Sequence, residues 1–322
     1  MHTNGNIAAR ASGLLIGATL AAAAATLPPA AAQAQAGSEL AHEPRATLVA
    51  AWDGTVAWST FDAQVNAYRL VVSRDGGEPR RVAVAPNPTP FDIDMGTDRS
   101  GSTYAVYSRD GDLYRLSLTS YRETKLVKLS DPRRVERDPT IFRGKIAFIR
   151  RVGNADELRI ANKTSGSRRL VRSGSLRAPE LSQDRVAYIQ SVRGRYGFGE
   201  QRVRVRTLRT GRDRMVYRAA SGGANVANIT DPSVTEDLRF FTWARTNAGS
   251  GTGNRLIRWS VRSGRFSYAR GTRRARSTAW ASNTLGMAIF EAPAGGEVPC
   301  DEPGGGGCRV ALTGPVTWQP RP

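Results

Sequence analysis

Histidine chemistry has almost no basis in this 322-residue chain. It holds only His2 and His42, one near the start and the other in a segment predicted to be a lead. A Ser-His-Asp or Cys-His centre needs an imidazole held in place by the fold, and a zinc site needs several His or Cys ligands. The sequence therefore argues against both, and we predict no metal, no cofactor and no catalytic residues.

Paired carboxylates are the other chemistry that the composition allows, because glycosidases work with two acids. Most acids here lie in predicted turns, where Asp is favoured for its backbone hydrogen bonds. The stretch "DIDMGTD", Asp92 to Asp98, lacks the rest of an EF-hand loop. Its apolar residues alternate with its acids, which favours a strand over a calcium loop.

One long loop carries the residue types of a binding surface. In "SVRGRYGFGEQR" we predict a ligand-binding set of Arg193, Arg195, Tyr196 and Phe198. Arginine and aromatic rings on such a loop could stack on a sugar or hold an acidic group. A loop that packs onto its own blade is the structural alternative.

The net charge is +19, and all but four of the 47 basic residues are Arg. This charge either attracts a polyanion or reflects a bias of a GC-rich genome without functional meaning. Because export is predicted below, anionic envelope polymers and proteins are the expected partners, and nucleic acid is not.

The N-terminus has the pattern of a secretory signal peptide. One Arg precedes an Ala- and Leu-rich segment, and small-residue cleavage sites follow a Pro pair. We predict a signal peptide at 1–34, a flexible lead at 35–46 and one folded repeat domain at 47–322, in a secreted, extracytoplasmic protein with no membrane span. In that compartment Cys300 and Cys308, which flank a Gly-rich stretch, should form a disulfide.

The elements that would position these residues repeat along the chain. Six apolar cores begin near Val56, Tyr104, Ile146, Val186, Phe240 and Met287. Their spacing of about 40 to 54 residues is that of propeller blades. Most cores are followed by an alternating strand, a turn and a basic strand. Glycines at the turns suit a positive φ, and they are Gly76, Gly166, Gly211 and Gly264.

The motifs "SRDGGEPRRV", "GKIAFI", "DRVAYI" and "SRDGDLYRL" resemble the TolB-type, WD40-like propeller repeat. The resemblance implies an all-β propeller of four-stranded antiparallel blades and an extracytoplasmic binding style. The repeats predict six blades, although five or seven would also fit, and we expect a monomer.

We predict a non-enzymatic binding or scaffold module that recognises a protein or an anionic envelope polymer through loops at one end. A carbohydrate-active enzyme, glycosidase or lyase, on the same scaffold is the alternative. A structural protein without a ligand is a third reading.

Overall fold

The computed structural model describes residues 38–162, 166–193, 199–220, 226–248, 255–270, 275–291, 300 and 308–320. Within these residues the chain forms six antiparallel sheets, the blades of a six-bladed β-propeller. The predicted signal peptide lies outside the described residues. No helix in the described part is long and apolar enough to cross a bilayer.

The first three blades each take four consecutive strands. Blade 1 contains β2 (Val49–Trp52), β3 (Thr55–Asp62), β4 (Ala67–Arg74) and β5 (Arg80–Arg81). Blade 2 contains β6 (Asp94–Thr97), β7 (Thr103–Arg109), β8 (Asp112–Ser117) and β9 (Glu123–Lys125). Blade 3 contains β10 (Val135–Phe142), β11 (Lys145–Val152), β12 (Ala155–Asn162) and β13 (Arg168–Ser173).

The last three blades follow the same plan, and the chain ends modify two of them. Blade 4 contains β14 (Leu176–Ser182), β15 (Arg185–Arg193), β16 (Gly199–Thr207) and β17 (Asp213–Ala220). Blade 5 contains β18 (Val226–Ile229), β19 (Ser233–Val234), β20 (Phe240–Ala248), β21 (Arg255–Ser260), β22 (Phe266–Arg270) and β26 (Gln319–Pro320). Blade 6 contains β23 (Ala275–Ser282), β24 (Gly286–Glu291), β25 (Cys308–Leu312) and β1 (Glu39–Glu43).

Strand β1 closes the ring, because it comes from the start of the chain and pairs with β25 of the last blade. The propeller therefore begins before the predicted boundary at residue 47. The predicted lead, 35–46, includes this strand. His42 lies on it, exposed and 2.8 Å from the Glu39 carboxylate.

The apolar runs of the sequence are strands that are buried on both faces. In β11, Ile146 and Phe148 belong to the cluster shared with blade 2, whereas Ala147 and Ile149 belong to the cluster shared with blade 4. Successive side chains of a strand point to opposite faces, so a strand between two blades needs apolar residues at every position. All six predicted cores lie in the second strand of a blade.

Three of the four predicted turn glycines and both cysteines adopt the predicted arrangement. Gly76, Gly211 and Gly264 have positive φ, as predicted, but Gly166 does not, so that prediction was wrong at one position. The predicted disulfide between Cys300 and Cys308 is confirmed. Cys308 begins β25, and Cys300 lies eight residues before it in the sequence.

Candidate functional site

The first strand of each blade lies along a central channel. In β10 the pairing with β11 shifts between Arg137 and Thr140, which is a β-bulge at Asp138-Pro139. The corresponding shift in β14 falls at Ala178-Pro179. Asp138 and Ala178 both adopt a positive φ, which is uncommon for residues with a side chain. The bulges place the residue before each Pro at the wall of the channel.

Five carboxylates from four blades line this channel. They come from positions at or near the first strand of blades 2, 3, 4 and 5, and they are Asp92, Asp94, Asp138, Glu180 and Asp231. The "DIDMGTD" stretch contributes the first two. The preceding Phe91, and Ile93 within the stretch, are buried in the core, as the alternation predicts, whereas Asp92 and Asp94 face the channel.

Each of the four innermost carboxylates accepts a hydrogen bond from the backbone of the next blade. Asp92 accepts from the Asp138 N–H at 2.5 Å, and Asp94 accepts from the Ile141 N–H at 3.1 Å. Asp138 accepts from the Ala178 N–H at 3.2 Å, and Glu180 accepts from the Val234 N–H at 2.9 Å. We call these contacts the inter-blade latches.

Hydroxyl groups make the same kind of contact at three joints between blades. The Leu181 N–H donates to Thr140 Oγ1 at 3.2 Å, and the Trp280 N–H donates to Ser233 Oγ at 2.8 Å. The Val49 N–H donates to a serine of blade 6 at 3.1 Å. A buried backbone N–H needs a partner. The polar side chains along the channel therefore serve the joints between blades.

Burial shifts the protonation of the channel acids. Burial, and then the neighbouring Asp138 carboxylate, raise the pKa of Asp92 to about 7. Burial also raises the pKa of Asp94 to about 7. For Glu180, burial and then Asp94 raise the pKa well above its usual range. Several carboxyls crowded into one channel cannot all hold a charge without mutual repulsion.

The channel around these acids is narrow. Its cavity measures about 50 Å³, room for a few water molecules and far below the roughly 300–1,000 Å³ of ligand pockets. Beyond the acids, Trp52 packs edge-on against Phe142, with 6.5 Å between their ring centroids. Leu238 packs against two of the three hydrophobic clusters that Trp52 contacts.

The other end of the channel opens into a larger depression of about 350 Å³, which we call the mouth. Three arginines line it: Arg137, Arg177 and Arg276. The first two precede the bulged residues Asp138 and Ala178, so the turn of the bulge also sets the direction of these two arginines.

The mouth arginines differ in how they are held. Arg137 pairs with Asp138 and, at 2.9 Å, with Asp156. Arg177 pairs with Asp231 and donates to the Ile229 carbonyl at 2.6 Å. Arg276, in contrast, has no ion-pair partner among the described residues. The mouth thus has fixed positive groups and one guanidinium available to a ligand.

Of the predicted ligand-binding residues, Arg193 is described and the other three, Arg195, Tyr196 and Phe198, lie outside the described residues. Arg193 ends β15 and is exposed. Arg177 pairs with Ile189 of β15, so Arg193 lies toward the end of blade 4 that carries the mouth.

Sequence reasoning missed both the channel acids and the mouth arginines. A signal was available in the positions of the Asp-Pro pairs. Asp138 and Asp231 each precede a Pro and lie at a similar distance before an apolar core. Arg137 directly precedes the first of them. The described residues contain no group of three metal-ligating side chains placed to hold an ion.

Solved structures share this architecture at low sequence identity. Oligogalacturonate lyase in complex with manganese matches with a TM-score of 0.51 and 12% identity over 84% of this chain and 78% of that one. A chain of the mitotic checkpoint complex matches with a TM-score of 0.50 and 9% identity over 94% and 99%. In fold, this chain is a six-bladed β-propeller, and its overlap with both structures extends over most of its length.

TolB from Acinetobacter baumannii matches with a TM-score of 0.49 and 11% identity. The match covers 86% of this chain and 58% of the TolB chain. No family model matches the sequence. No curated protein matches it significantly. At these identities the likeness shows the fold alone, and the same propeller serves unrelated functions.

Proposed function

We propose that this protein is an exported binding module that holds an anionic partner, a protein with an exposed acidic segment, at the mouth of the channel. The observation that carries the proposal is Arg276, a guanidinium in a depression of about 350 Å³ without an ion-pair partner among the described residues. Arginine binds carboxylates through two parallel N–H groups. The neighbouring arginines are already oriented by their own acids.

The channel acids support a structural role over a catalytic one. A glycosidase needs two carboxyls that both reach the substrate, about 5 to 10 Å apart. Here Asp94 and Glu180 lie in a cavity of about 50 Å³ and accept backbone hydrogen bonds from the next blade. A carbohydrate-active enzyme would have to break these latches to free its acids.

Binding to poly-glutamate tests the proposal, because this probe offers carboxylates on a polypeptide. Arg276→Glu reverses the charge at the mouth, and we expect it to weaken binding at least about tenfold, the worth of one charge-assisted hydrogen bond. Arg80→Glu is the matched control, since Arg80 is exposed on β5 and the change in net charge is the same.

Equal weakening by the two variants would mean that diffuse charge, and not the mouth, attracts the probe. A heparin column addresses the polysaccharide alternative. Tighter retention on heparin than on poly-glutamate, sensitive to Arg276→Glu, would replace the protein partner with a sulfated or acidic polymer. Cleavage of an acidic oligosaccharide that Glu180→Gln abolishes would overturn the non-catalytic proposal.

A further inference from the structure

A second arginine-rich pocket lies at the margin between blades 4 and 5. It measures about 220 Å³. Four arginines line it together with the Thr207 hydroxyl, and they are Arg185, Arg212, Arg214 and Arg262. Arg185 begins β15, whereas the mouth lies toward the other end of that strand, beyond Ile189. The pocket is therefore separate from the mouth and from the channel.

The strand register explains why these arginines share one face. Arg185 pairs with Thr207 across β15 and β16, and Val205 pairs with Arg214 across β16 and β17. Residues opposite each other lie on the same face of a sheet, and Val205 belongs to the hydrophobic cluster shared with blade 5. The turn that carries Arg262 completes the pocket from blade 5.

Two acids flank this charge: Asp184 pairs with Arg185, and Asp213 lies on the opposite face of the sheet. Asp213 alternates with Arg212 and Arg214 along the chain. It pairs with Arg204 at 3.0 Å and with Arg206 at 3.7 Å. Among the described residues, Arg212, Arg214 and Arg262 have no ion-pair partner. Blade 4 thus sorts its charges, with the acid on one face and the unpaired arginines on the other.

Arg185 carries a further sign of an absent partner. Its Nη1 donates to the Val261 carbonyl at 3.2 Å, but its buried Nε has no hydrogen-bond acceptor. Asp184 lies 3.4 Å from this Nε, within ion-pair distance but without hydrogen-bond geometry. Unsatisfied buried donors are rare in folded proteins and call for an explanation.

The arginines also repel one another. Burial, and then Arg185 and Arg212, lower the pKa of Arg214. The Arg214 guanidinium lies 4.9 Å from the centroid of the Trp259 ring, which holds it at the pocket. Like charges gathered in this way destabilise the unliganded protein, and a bound anion would remove that cost.

We propose that this pocket is an oxyanion site for a phosphate group, either as the free ion or as a phosphate monoester. Guanidinium forks match phosphate oxygens in geometry, and Thr207 adds a hydroxyl donor. A volume of about 220 Å³ is large enough for the tetrahedral anion. The site does not rest on the proposed function at the mouth, and either proposal can fail alone.

Thermal unfolding with inorganic phosphate tests the site, with sodium chloride holding the ionic strength constant. For the wild type we expect a saturable rise in Tm with phosphate, beyond any effect of chloride. The double variant Arg212→Gln/Arg214→Gln should lose this rise and weaken phosphate binding at least about tenfold, since each charge-assisted hydrogen bond is worth about that much. Its Tm without phosphate should equal or exceed that of the wild type, because the repulsion is relieved.

Arg80→Gln/Arg172→Gln is the matched control, because both residues are exposed on other blades and the charge change is the same. An equal loss of the phosphate response in this control, or no response in the wild type, would overturn the site. If the double variant does not fold, Arg262→Gln replaces it, with the same expected loss of response. A parallel titration with glycerol 3-phosphate separates the two ligand sources, since a response weaker than that to phosphate indicates the free ion and an equal or stronger one the ester.

Discussion

The protonation of Asp92 should make the free energy of unfolding of the protein fall as the pH rises from about 4 to 7. A carboxyl with a raised pKa keeps its proton in the folded state while the unfolded chain has already lost it. Between the ordinary pKa of 3.8 and the folded value of about 7, rising pH therefore favours the unfolded chain. Each pH unit in that interval is worth about 1.4 kcal/mol.

The perturbation that isolates this effect is Asp92→Asn. The free energy of unfolding of the wild type, minus that of the variant, should fall as the pH rises from about 4.5 to 7 and level off above pH 7. The total fall is at most about 4 kcal/mol over the whole interval from the ordinary to the folded pKa. Taking this difference cancels the titration of those carboxyls that do not interact with Asp92.

Urea unfolding at a series of pH values measures this difference, and Asp98→Asn is the control. The hydrogen bond from Ser100 lowers the pKa of Asp98, so its stabilisation is complete above pH 4 and lost only at lower pH. The control difference should therefore stay flat from pH 4.5 to 8.

The opposite sign for Asp92 would refute this reasoning. Asp92 accepts from the Ser108 N–H and Oγ–H, both at 2.6 Å, as well as from the next blade. If these three donors held it ionised, the difference between wild type and Asp92→Asn would not fall as the pH rises. A flat or rising curve would then show that hydrogen bonding outweighs burial at this site.

Three further changes test the joints of the ring. Glu43→Ala should lower the free energy of unfolding by about 1–3 kcal/mol in urea titrations, because Glu43 of β1 accepts a buried indole N–H of blade 1 at 2.5 Å; Glu43→Gln keeps the acceptor, and an equal loss in both variants would contradict this. Arg150→Met should lower the free energy of unfolding by about 3–5 kcal/mol in the same assay. The Glu136 carboxylate, which is fully buried and lies 2.6 Å from the Arg150 guanidinium, would lose its partner. Adding Glu136→Leu to Arg150→Met should restore part of this stability. A free energy of unfolding of Arg150→Met alone within about 1 kcal/mol of the wild type would refute the argument. Reduction of Cys300–Cys308, which lie eight residues apart, should cost about 2 kcal/mol when urea midpoints are compared with and without dithiothreitol; an unchanged midpoint would show that the described strands alone fix this end.

The sequence predicts the blades because burial on two faces leaves a local trace. A strand such as β11, apolar at four consecutive positions from Ile146 to Ile149, needs neighbours on both sides, and regular spacing supplies them. The hairpin glycines were predicted for the same reason, since positive φ is a local demand. The prediction was wrong at Gly166, which does not adopt a positive φ.

The site escapes such reasoning because it depends on side chains from different blades. Asp138 follows Arg137 in a stretch that reads as a turn, since Asp-Pro is common in turns. The bulge instead turns the carboxylate to the channel and the guanidinium to the mouth. The Asp138 N–H donates to Asp92 across the joint between two blades. No single repeat contains this contact, so the repeat pattern cannot predict it.

Closure by β1 has a kinetic consequence. The strand that completes the last blade is one of the first segments of the propeller, so the ring joins only after β25 is in place. Contacts between distant parts of a chain form slowly and are the expensive step in folding. Until then the edge of β25 is an open template for pairing with another molecule. A protease cut that released β1 would reopen that edge, whereas a cut in a hairpin of blade 3 would leave both ends of the ring joined.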